Sequence, residues 1–459
     1  MSYSREKLKL PSLLALLLGV GLSVGCENGK QTNTVAETEA ETKADGETSS
    51  AGSETSNPAE ETAAVAPDSS PEVAIEPPQP IELNAAKLEE MALTQEQLQD
   101  GWIRLFDGQS PFGWIVVGNA NWQFKDGIIS VSRGDKSFLC TSFQLADYEL
   151  QVDFRSDPKT NSGVFLRTGP QPEDVAEGCL ELNIAPPDNP FPTASFVARQ
   201  KVETESLGDF DPTEWHTYHV KLVDDTVQVK LDGKEVISLE GQTVDPMGHI
   251  SLQHNEGKVE FRNILLRPIL DGTTLALDDE WEKDWIKEEK EGATLTVTPE
   301  ETGLKMEGGL GKLQTKQSFG DFVLHAEYTL ANRDVNSGIF FRCMPDAMLD
   351  GYECQVNHSI QDENPLQPGD GGAGAIFRRQ NARVVIGDGT SASHITLLAN
   401  GSQIATWVNG IQVVDFVDTR EPNENPRRGL RLEAGPIALQ GHDPGTKVVY
   451  HKIEVAEIE

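Results

Sequence analysis

Basic residues are scarce in this chain. Of its 459 residues, 38 are Lys or Arg and 74 are Asp or Glu, which gives a formal net charge of −36 at pH 7. Proteins that bind nucleic acid place clustered Lys and Arg against the phosphate backbone. No run of basic residues with interleaved aromatics occurs here. We therefore expect no nucleic-acid partner.

Aromatic residues are missing between residue 27 and Trp102. The stretch 27–88 consists mainly of Glu, Thr, Ala, Ser and Pro. Such a segment cannot bury enough apolar surface to offset the conformational entropy that it would lose on ordering. The composition therefore predicts a disordered acidic linker over residues 27–88.

Long apolar runs are also missing, apart from one short run at Leu13–Val24. Basic residues precede this run and small residues follow it, which is typical of an export signal and too short for a stable membrane span. The tetrapeptide that ends at Cys26 resembles a bacterial lipobox. We predict a lipoprotein signal peptide over residues 1–26, with a plain signal peptide as the alternative. The lipid on Cys26 would then be the sole membrane attachment of an outer-membrane lipoprotein that faces the periplasm or the cell surface.

Cysteines are few, and four remain when Cys26 is set aside: Cys140, Cys179, Cys343 and Cys354. An even number in an exported chain is compatible with disulfides. If the strands that carry Arg342 and Gln355 pair antiparallel at those residues, Cys343 and Cys354 lie opposite each other. A cross-strand disulfide and two buried free thiols are both compatible with this pattern.

The chain repeats itself. The heptapeptide NSGVFLR begins at Asn161, and NSGIFFR begins at Asn336. Between such motifs, apolar and polar residues alternate in short segments that end in pairs such as Asp-Gly and Asn-Gly, which predicts strands and hairpins. Helical periodicity is confined mainly to Met91–Asp100. We predict an all-β protein with two tandem β-sandwiches, at residues 89–269 and 270–459.

The ordered motifs resemble a known family. WIRLFDGQSPFGW, NSGVFLR, EWHTYHV, DGKEV and SLQHNEGKVEFRNILLR are similar to the 3-keto-disaccharide hydrolase domain. GKLQT, NSGIFFR, GYECQVN, GAGAIFRRQNAR, WVNGIQVVDF and LQGHDP carry the same resemblance in the second copy. The resemblance implies concanavalin-like jelly-roll sandwiches and a carbohydrate-active protein of bacterial envelopes that cleaves glycosides oxidised to a ketone at sugar carbon 3.

Each copy departs from the family pattern at one place. The second copy has Ser393-His394 where a tryptophan motif is expected, and the first copy has no Gly-rich run over residues 185–199. Either copy is therefore a candidate for lost activity. The second copy keeps Glu353, Gln355, His358 and a Gly-rich rim at Gly369–Gly374, so we expect it to be the active one.

Both copies carry the side-chain types that hold a sugar. Alternate side chains of a strand share a face, which places Arg342 beside an aromatic ring and Glu353 beside Gln355. Aromatic, guanidinium, carboxylate and amide groups together suit ring stacking and hydroxyl binding. An ion pair on a solvated sheet is the alternative. The remaining candidate substrate-binding residues are Asn336, Arg378, Asn161, Arg167, Glu181 and Asn183.

One carboxylate is sufficient for a reaction that begins by removing a hydrogen acidified by the C3 ketone. We predict Glu353 as the base or as a metal-coordinating carboxylate, with Arg342 or Arg378 facing the enolate oxygen. His358 and His442 are the candidate proton carriers. A divalent cation bound by His358, His442 and Asp443 is a further hypothesis, against a solvated loop without metal.

Three functions are compatible with the sequence. The first is cleavage of oligosaccharide or glycoside substrates that carry a 3-keto sugar. The second is non-catalytic, lectin-like carbohydrate binding, in which two tethered copies gain avidity. The third is a structural envelope protein that uses the sandwiches as spacers.

Overall fold

The computed structural model describes residues 82–458 except 173–174, 177 and 243. The predicted signal peptide, Cys26 and most of the predicted linker lie outside these residues. Within the described part of the chain, no helix is both long and apolar enough to cross a bilayer. Strands dominate this part, which confirms the all-β prediction.

Two short helices, α1 (Ala85–Glu90) and α2 (Gln95–Gln99), precede the first strand. Asn84 caps α1, and Thr94 and Gln97 form a capping box at the start of α2. Leu88 of α1 is fully buried in the core of the second sandwich. Order therefore begins before residue 89, so the predicted linker boundary at residue 88 is wrong.

The first sandwich contains thirteen strands and one helical turn among the described residues. The strands are β1 (Ile103–Arg104), β2 (Trp114–Val117), β3 (Gln123–Lys125), β4 (Ile128–Val131), β5 (Ser137–Thr141), β6 (Tyr148–Ser156), β7 (Asn161–Thr168), β8 (Leu180–Ile184), β9 (His216–Val223), β10 (Thr226–Leu231), β11 (Lys234–Leu239), β12 (His249–Glu256) and β13 (Val259–Pro268), with α3 (Thr204–Leu207) between β8 and β9. Its front sheet has the order β2-β5-β12-β7-β8, and its back sheet is built around β4, β13, β6, β9, β10 and β11.

The second sandwich repeats this plan with thirteen strands of the described chain. They are β14 (Thr273–Thr274), β15 (Trp285–Glu300), β16 (Gly303–Phe319), β17 (Phe322–Leu330), β18 (Ser337–Phe341), β19 (Tyr352–Val356), β20 (Ile360–Gln361), β21 (Asn364–Pro368), β22 (Ser393–Asn400), β23 (Gln403–Val408), β24 (Ile411–Val417), β25 (Gly435–Gly441) and β26 (Lys447–Glu457), with 3-10 turns at Trp281–Lys283 and Gly369–Gly371. The front sheet runs β15-β16-β25-β18-β19, and the back sheet runs β26-β17-β22-β23-β24.

Alternation within the strands forms each core between the two sheets. Leu150, Val152 and Phe154 of β6 are fully buried, as the sequence predicts. Asp232-Gly233 and Asn409-Gly410 are two-residue turns with positive φ at both positions, which is the backbone that these residue pairs favour. A third such pair, Asn400-Gly401, was also predicted to form a turn, but the turn is displaced by one residue, because Asn400 pairs with Gln403 and leaves Gly401-Ser402 as the loop.

The two sandwiches are joined through their sheets and side chains. β1 pairs antiparallel with β13 and parallel with β24. Arg383 donates to Asp107 at 2.7 Å across the junction. Phe143 packs edge-on against Trp407, with ring centroids 5.1 Å apart. The front sheets, which carry the candidate site residues, lie outside these joining contacts.

Candidate functional site

The pairing of β18 with β19 decides which site residues share the front face of the second sandwich. Phe340 lies opposite Glu353, and Gly338 lies opposite Gln355. The predicted register, with Arg342 opposite Gln355, is therefore wrong, because the residue opposite Gln355 is Gly338, four positions before Arg342. Cys354 lies opposite Ile339. Cys343 and Cys354 are buried free thiols, as is Cys140, so the predicted alternative of a Cys343–Cys354 disulfide is wrong.

Arg342 does not reach the front face, contrary to the prediction. Its side chain is fully buried, and its guanidinium donates to the carbonyls of Gly320, Gly401 and Arg431 and to the carboxylate of Asp321 at 2.5 Å. The strand ends one residue earlier, and Arg342 adopts a positive φ of 46°. Arg342 is a structural residue that ties the end of β18 to neighbouring loops.

Arg167 of the first sandwich has the same role, which also corrects its predicted contact with substrate. It has a φ of 48° and donates to the carbonyls of Ala146 and Asp224 and to the carboxylate of Asp147 at 2.6 Å. The repeated Asn-Ser-Gly motif therefore ends in an arginine in both copies because the same loops need the same hydrogen bonds.

His358 also lies away from Glu353. Its ring is buried, accepts or donates a 2.7 Å hydrogen bond with the hydroxyl of Tyr328, and contacts the carbonyl of Gly387 at 3.3 Å. Burial lowers the pKa of His358 to about 4. A neutral histidine enclosed on the core side of β19 has no route to a substrate on the front face, so the predicted role in catalysis is wrong.

Glu353 is the central residue of the candidate site on the front face of the second sandwich. Only 6% of the residue is exposed, and its carboxylate accepts a 3.1 Å hydrogen bond from Arg427. The Arg427 guanidinium stacks 5.2 Å from the ring centre of Phe340, the residue opposite Glu353. Burial raises the pKa of Glu353, and the charge and hydrogen bond of Arg427 oppose that rise only in part. The result is a carboxylate whose pKa is shifted towards that of a general base.

Amide side chains lie on the same face of the sheet as Glu353. Asn336 donates to the carboxylate of Asp370 at 2.6 Å, and Gln355 donates to the same carboxylate at 3.1 Å. Gln440 follows Ala438 on the same face of β25, and Ala438 pairs with Phe340. The amide oxygens of Asn336, Gln355 and Gln440 are buried without a partner among the described residues. An ordered water and a sugar hydroxyl are both donors of the kind that matches such an oxygen.

Gly338 makes room for the Glu353 side chain on the front face. A Cβ atom at this position would lie 3.1 Å from the Glu353 carboxylate oxygen Oε1 and 3.2 Å from the Phe340 ring. Gly163 holds the equivalent place in the first sandwich, where a Cβ atom would lie 3.3 Å from Glu181. The glycine of the repeated motif therefore lets the glutamate side chain pack closely over the neighbouring strand in both copies.

His442 lies on the rim of the same face. Its Nδ1 atom is 2.8 Å from the Asp443 carboxylate, and nearly half of its side chain is exposed. The hydrogen bond from His442 is the main reason that the pKa of Asp443 is lowered. The charge of His442 also lowers the pKa of Glu353, which places the ring within electrostatic reach of the carboxylate.

The predicted cation ligands do not converge. His358 faces the core, whereas His442 and Asp443 lie on the rim. Over residues 82–458, outside the few positions not described, no group of three or more His, Cys, Asp or Glu side chains is arranged to hold a metal ion.

The first sandwich presents a less polar version of this face. Glu181 lies opposite Phe165, and Asn183 lies opposite Gly163, as in the second sandwich. Burial raises the pKa of Glu181 to about 7, against the opposing charge of Lys136. The amide of Asn183 donates to the carbonyl of the nearby Phe191. Asn161 begins β7 on the same face, two residues before Gly163.

The two front faces differ in one strand. This strand is β5, which pairs with β12, in the first sandwich and β16, which pairs with β25, in the second. Phe138 pairs with Gln253, and Cys140 pairs with Ser251, where the second sandwich has Lys312 and Gln314. Phe138 and Cys140 pack with Phe165 and Cys179 in an apolar cluster. The front face of the first sandwich therefore combines one carboxylate with an apolar surface formed by Phe138 and Cys140.

Sequence reasoning missed Arg427 and Gln440, and it did not single out Asp370 as a site residue. Asp370 lies in the Gly-rich segment that was predicted to form the rim of the site. The loop that carries Arg427 joins β24 to β25, 74 positions from Glu353. The Leu-Gln pair that recurs at Leu252-Gln253 and Leu439-Gln440 was the available signal for Gln440.

Solved structures resemble single parts of this chain. A provisionally assigned glycosyl hydrolase from Parabacteroides distasonis is 21% identical, with a TM-score of 0.34, and the match covers 39% of this chain and 98% of that one. Carbohydrate-binding module CBM66 from Bacillus subtilis is 16% identical, with a TM-score of 0.26 and coverage of 34% and 95%. A Bacillus subtilis protein of unknown function with a galectin-like fold is 12% identical, with a TM-score of 0.23 and coverage of 38% and 91%.

No curated protein matches the chain significantly. The model of one family, described as the 3-keto-alpha-glucoside-1,2-lyase-like domain, matches twice, at residues 101–267 and 266–456. The two matches together cover most of the chain and correspond to the two sandwiches. This finding confirms the resemblance that the sequence motifs carry. The chain therefore belongs to the family of the 3-keto-alpha-glucoside-1,2-lyase-like domain, a carbohydrate-active family, and contains two copies of that domain.

Proposed function

We propose that the second sandwich cleaves the glycosidic bond of a 3-keto-glycoside, with Glu353 as the general base. The observation that carries this proposal is a buried carboxylate with a raised pKa, one hydrogen bond from Arg427, and unpartnered amide oxygens on the same sheet face. Family membership supports the same substrate class.

The ketone at C3 acidifies the hydrogen on C2. Glu353 takes that proton, and the electron pair of the C2–H bond delocalises onto the C3 oxygen as an enolate. The enolate then expels the glycosidic oxygen from C1, which leaves a double bond between C1 and C2. Addition of water, with its oxygen to C1 and a proton to C2, gives the 3-keto sugar and completes a net hydrolysis.

Other groups of the face supply the remaining roles. Arg427 lies against the base and stabilises negative charge that develops on the enolate oxygen. This assignment replaces Arg342, whose guanidinium is used within the fold. His442 is the proton carrier for the leaving oxygen, because it is exposed on the rim and already paired with Asp443. Asn336, Gln355 and Gln440 bind sugar hydroxyls.

Non-catalytic carbohydrate binding is the second candidate function, and the first sandwich favours it. That face has Glu181 and Asn183 but an apolar floor of Phe138 and Cys140, where the second sandwich has Lys312 and Gln314. We propose that the first sandwich binds sugar and does not cleave it.

The pH dependence of turnover tests the role of Glu353. A base must be ionised to act, so activity rises with pH as Glu353 loses its proton. Because burial raises the pKa of Glu353, the acid limb lies above the ordinary glutamate value of about 4.3. In Arg427→Gln, the charge and hydrogen bond that lower this pKa are lost. We expect the acid limb of kcat/KM to move further towards high pH in this variant.

A matched control for this prediction is Arg155→Gln on the back sheet of the first sandwich, where Arg155 pairs with Glu260. It removes an arginine that also contacts a glutamate, and we expect its pH profile to match the wild type. An acid limb that stays in place in Arg427→Gln would show that Glu353 is not the titrating base.

We also propose that the chain is exported and anchored to the outer membrane through lipid on Cys26. The sequence before Cys26 supports this proposal through its basic start, short apolar run and small residues. We expect Cys26→Ser, expressed in a Gram-negative host, to move the protein from the membrane fraction to the soluble fraction and to abolish labelling by radioactive palmitate. Labelling equal to that of the wild type would contradict the assignment of Cys26.

A further inference from the structure

Two phenylalanine–arginine stacks flank Glu353. Phe340 lies opposite Glu353 in β18, and the Arg427 guanidinium stacks on its ring at 5.2 Å. On the other side, Phe377 donates its backbone N–H to the Glu353 carbonyl at 2.9 Å. The Arg378 guanidinium stacks on the Phe377 ring at 5.1 Å. Phe377 therefore lies opposite Glu353 on the neighbouring segment, as Phe340 does on β18, and the Phe377–Arg378 stack borders the strand that carries the carboxylate.

The two guanidinium groups differ in what they bind. Arg427 is hydrogen-bonded to Glu353 and to the carbonyl of Leu349. Arg378 is exposed, and no described carboxylate lies within ion-pairing distance of its guanidinium. One positive charge at this edge of the site is therefore uncompensated, in a chain whose net charge is −36.

A third arginine connects the two stacks and adds to the positive charge. The Arg379 guanidinium donates to the carbonyl of Arg378 at 3.1 Å and to the carbonyl of Arg427 at 2.6 Å. It thereby fixes the segments that carry the two stacks relative to each other. Burial lowers the pKa of Arg379, and the nearby charges of Arg420 and Arg427 lower it further.

The first sandwich serves as an internal reference. An isolated antiparallel β-bridge pairs Phe196 with Gln200, and an equivalent bridge in the second sandwich pairs Ile376 with Gln380. Ala198 occupies the position of Arg378, and both residues have a φ of 59°. This backbone conformation is strained for any residue with a Cβ atom, so the turn itself does not need an arginine. The difference between Ala198 and Arg378 therefore points to a role of the charge outside the fold.

We propose that the second sandwich selects sugars that carry an anionic substituent, a carboxylate or a sulfate ester, which Arg378 binds beside Glu353. An unpaired carboxylate at position 353 would repel an anionic substrate. The ion pair with Arg427 compensates the charge of Glu353 and so weakens this repulsion. A planar guanidinium supported by an aromatic ring and free of a protein partner suits a two-point hydrogen bond to either oxyanion. This inference rests on the proposed function only because it takes the face around Glu353 to be the sugar-binding site.

Binding measurements on the full chain test this proposal independently of catalysis. The probes are methyl glucoside, methyl glucuronide and methyl glucoside 6-sulfate, titrated by NMR at low ionic strength. We expect at least one anionic probe to bind about 10-fold more tightly than the neutral one. In Arg378→Ala this preference should fall to near unity. Arg378→Lys should retain part of the preference, and added salt should weaken it.

Arg133→Ala is the matched control, because Arg133 is an exposed arginine on the first sandwich. It removes the same charge from the whole molecule, and we expect it to keep the preference. Equal affinities for all three probes in the wild type, or the same preference in Arg378→Ala as in the wild type, would overturn the proposal. Turnover of a neutral 3-keto-glucoside is assayed separately, so loss of the proposed reaction is distinguishable from loss of anion selection.

Discussion

Replacing Glu353 by glutamine should lower turnover of a 3-keto-glucoside by about 100- to 10,000-fold, which is the range that a positioned general base contributes. Glutamine keeps the shape of the side chain, and its amide oxygen can still accept the hydrogen bond from Arg427. The fold and the binding of a neutral glycoside should therefore persist. Single-turnover kinetics and an NMR titration on the same preparation separate the two effects.

Glu181→Gln is the matched control in the first sandwich. Glu181 occupies the equivalent position, opposite Phe165, and is also a buried carboxylate. We expect this variant to keep full turnover, because the first sandwich binds sugar without cleaving it in our proposal. If Glu353→Gln keeps full turnover and Glu181→Gln loses it, the assignment of the active copy is reversed. If both variants keep full turnover, neither glutamate is the base.

Arg342→Ala should be the most destabilising single substitution among the candidate site residues. It leaves three carbonyls without a donor and the Asp321 carboxylate without its cation. The Asp321 side chain is 38% exposed, so most of the cost comes from the carbonyls, each of which costs about 1–3 kcal/mol of the free energy of unfolding when it is buried without a donor. In a chain of this size we expect the Tm of the second sandwich to fall by about 10 °C in differential scanning calorimetry.

Arg167→Ala provides the corresponding test in the first sandwich, and Arg378→Ala is the control for loss of an exposed arginine. Sugar affinity, measured well below the transition, should be unchanged in Arg342→Ala, because the guanidinium does not reach the front face. A variant with wild-type stability and lost sugar binding would show instead that Arg342 is a ligand of the substrate.

The fold was largely predictable because strand alternation and tight turns are local signals. The alternating residues of Tyr148–Ser156 form β6, and Asp232-Gly233 forms the predicted turn. The internal repeat and the family motifs led to two sandwiches. The boundary at residue 88 failed because Leu88 is buried by contacts with a sandwich that is distant in sequence.

The site was predictable only in part. Glu353 and Gln355 share a face as expected, since that follows from strand alternation alone. Arg342 was misassigned because a repeated residue is required equally by a fold and by a binding site. Its positive φ ends β18 and takes the side chain out of the alternation, which no local pattern indicates. Arg427 was missed because a loop brings it to Glu353 from elsewhere in the chain.

Exchange of the C2 hydrogen of the sugar tests most directly whether Glu353 begins the reaction by removing that hydrogen. The full chain is incubated with a 3-keto-glucoside in D2O, and the 3-keto sugar product is analysed by NMR and mass spectrometry against an enzyme-free sample. The account predicts that the wild type places one deuterium at C2 of each product molecule and that Glu353→Gln incorporates no more than the enzyme-free sample. Product formed by the wild type with hydrogen retained at C2 would contradict it.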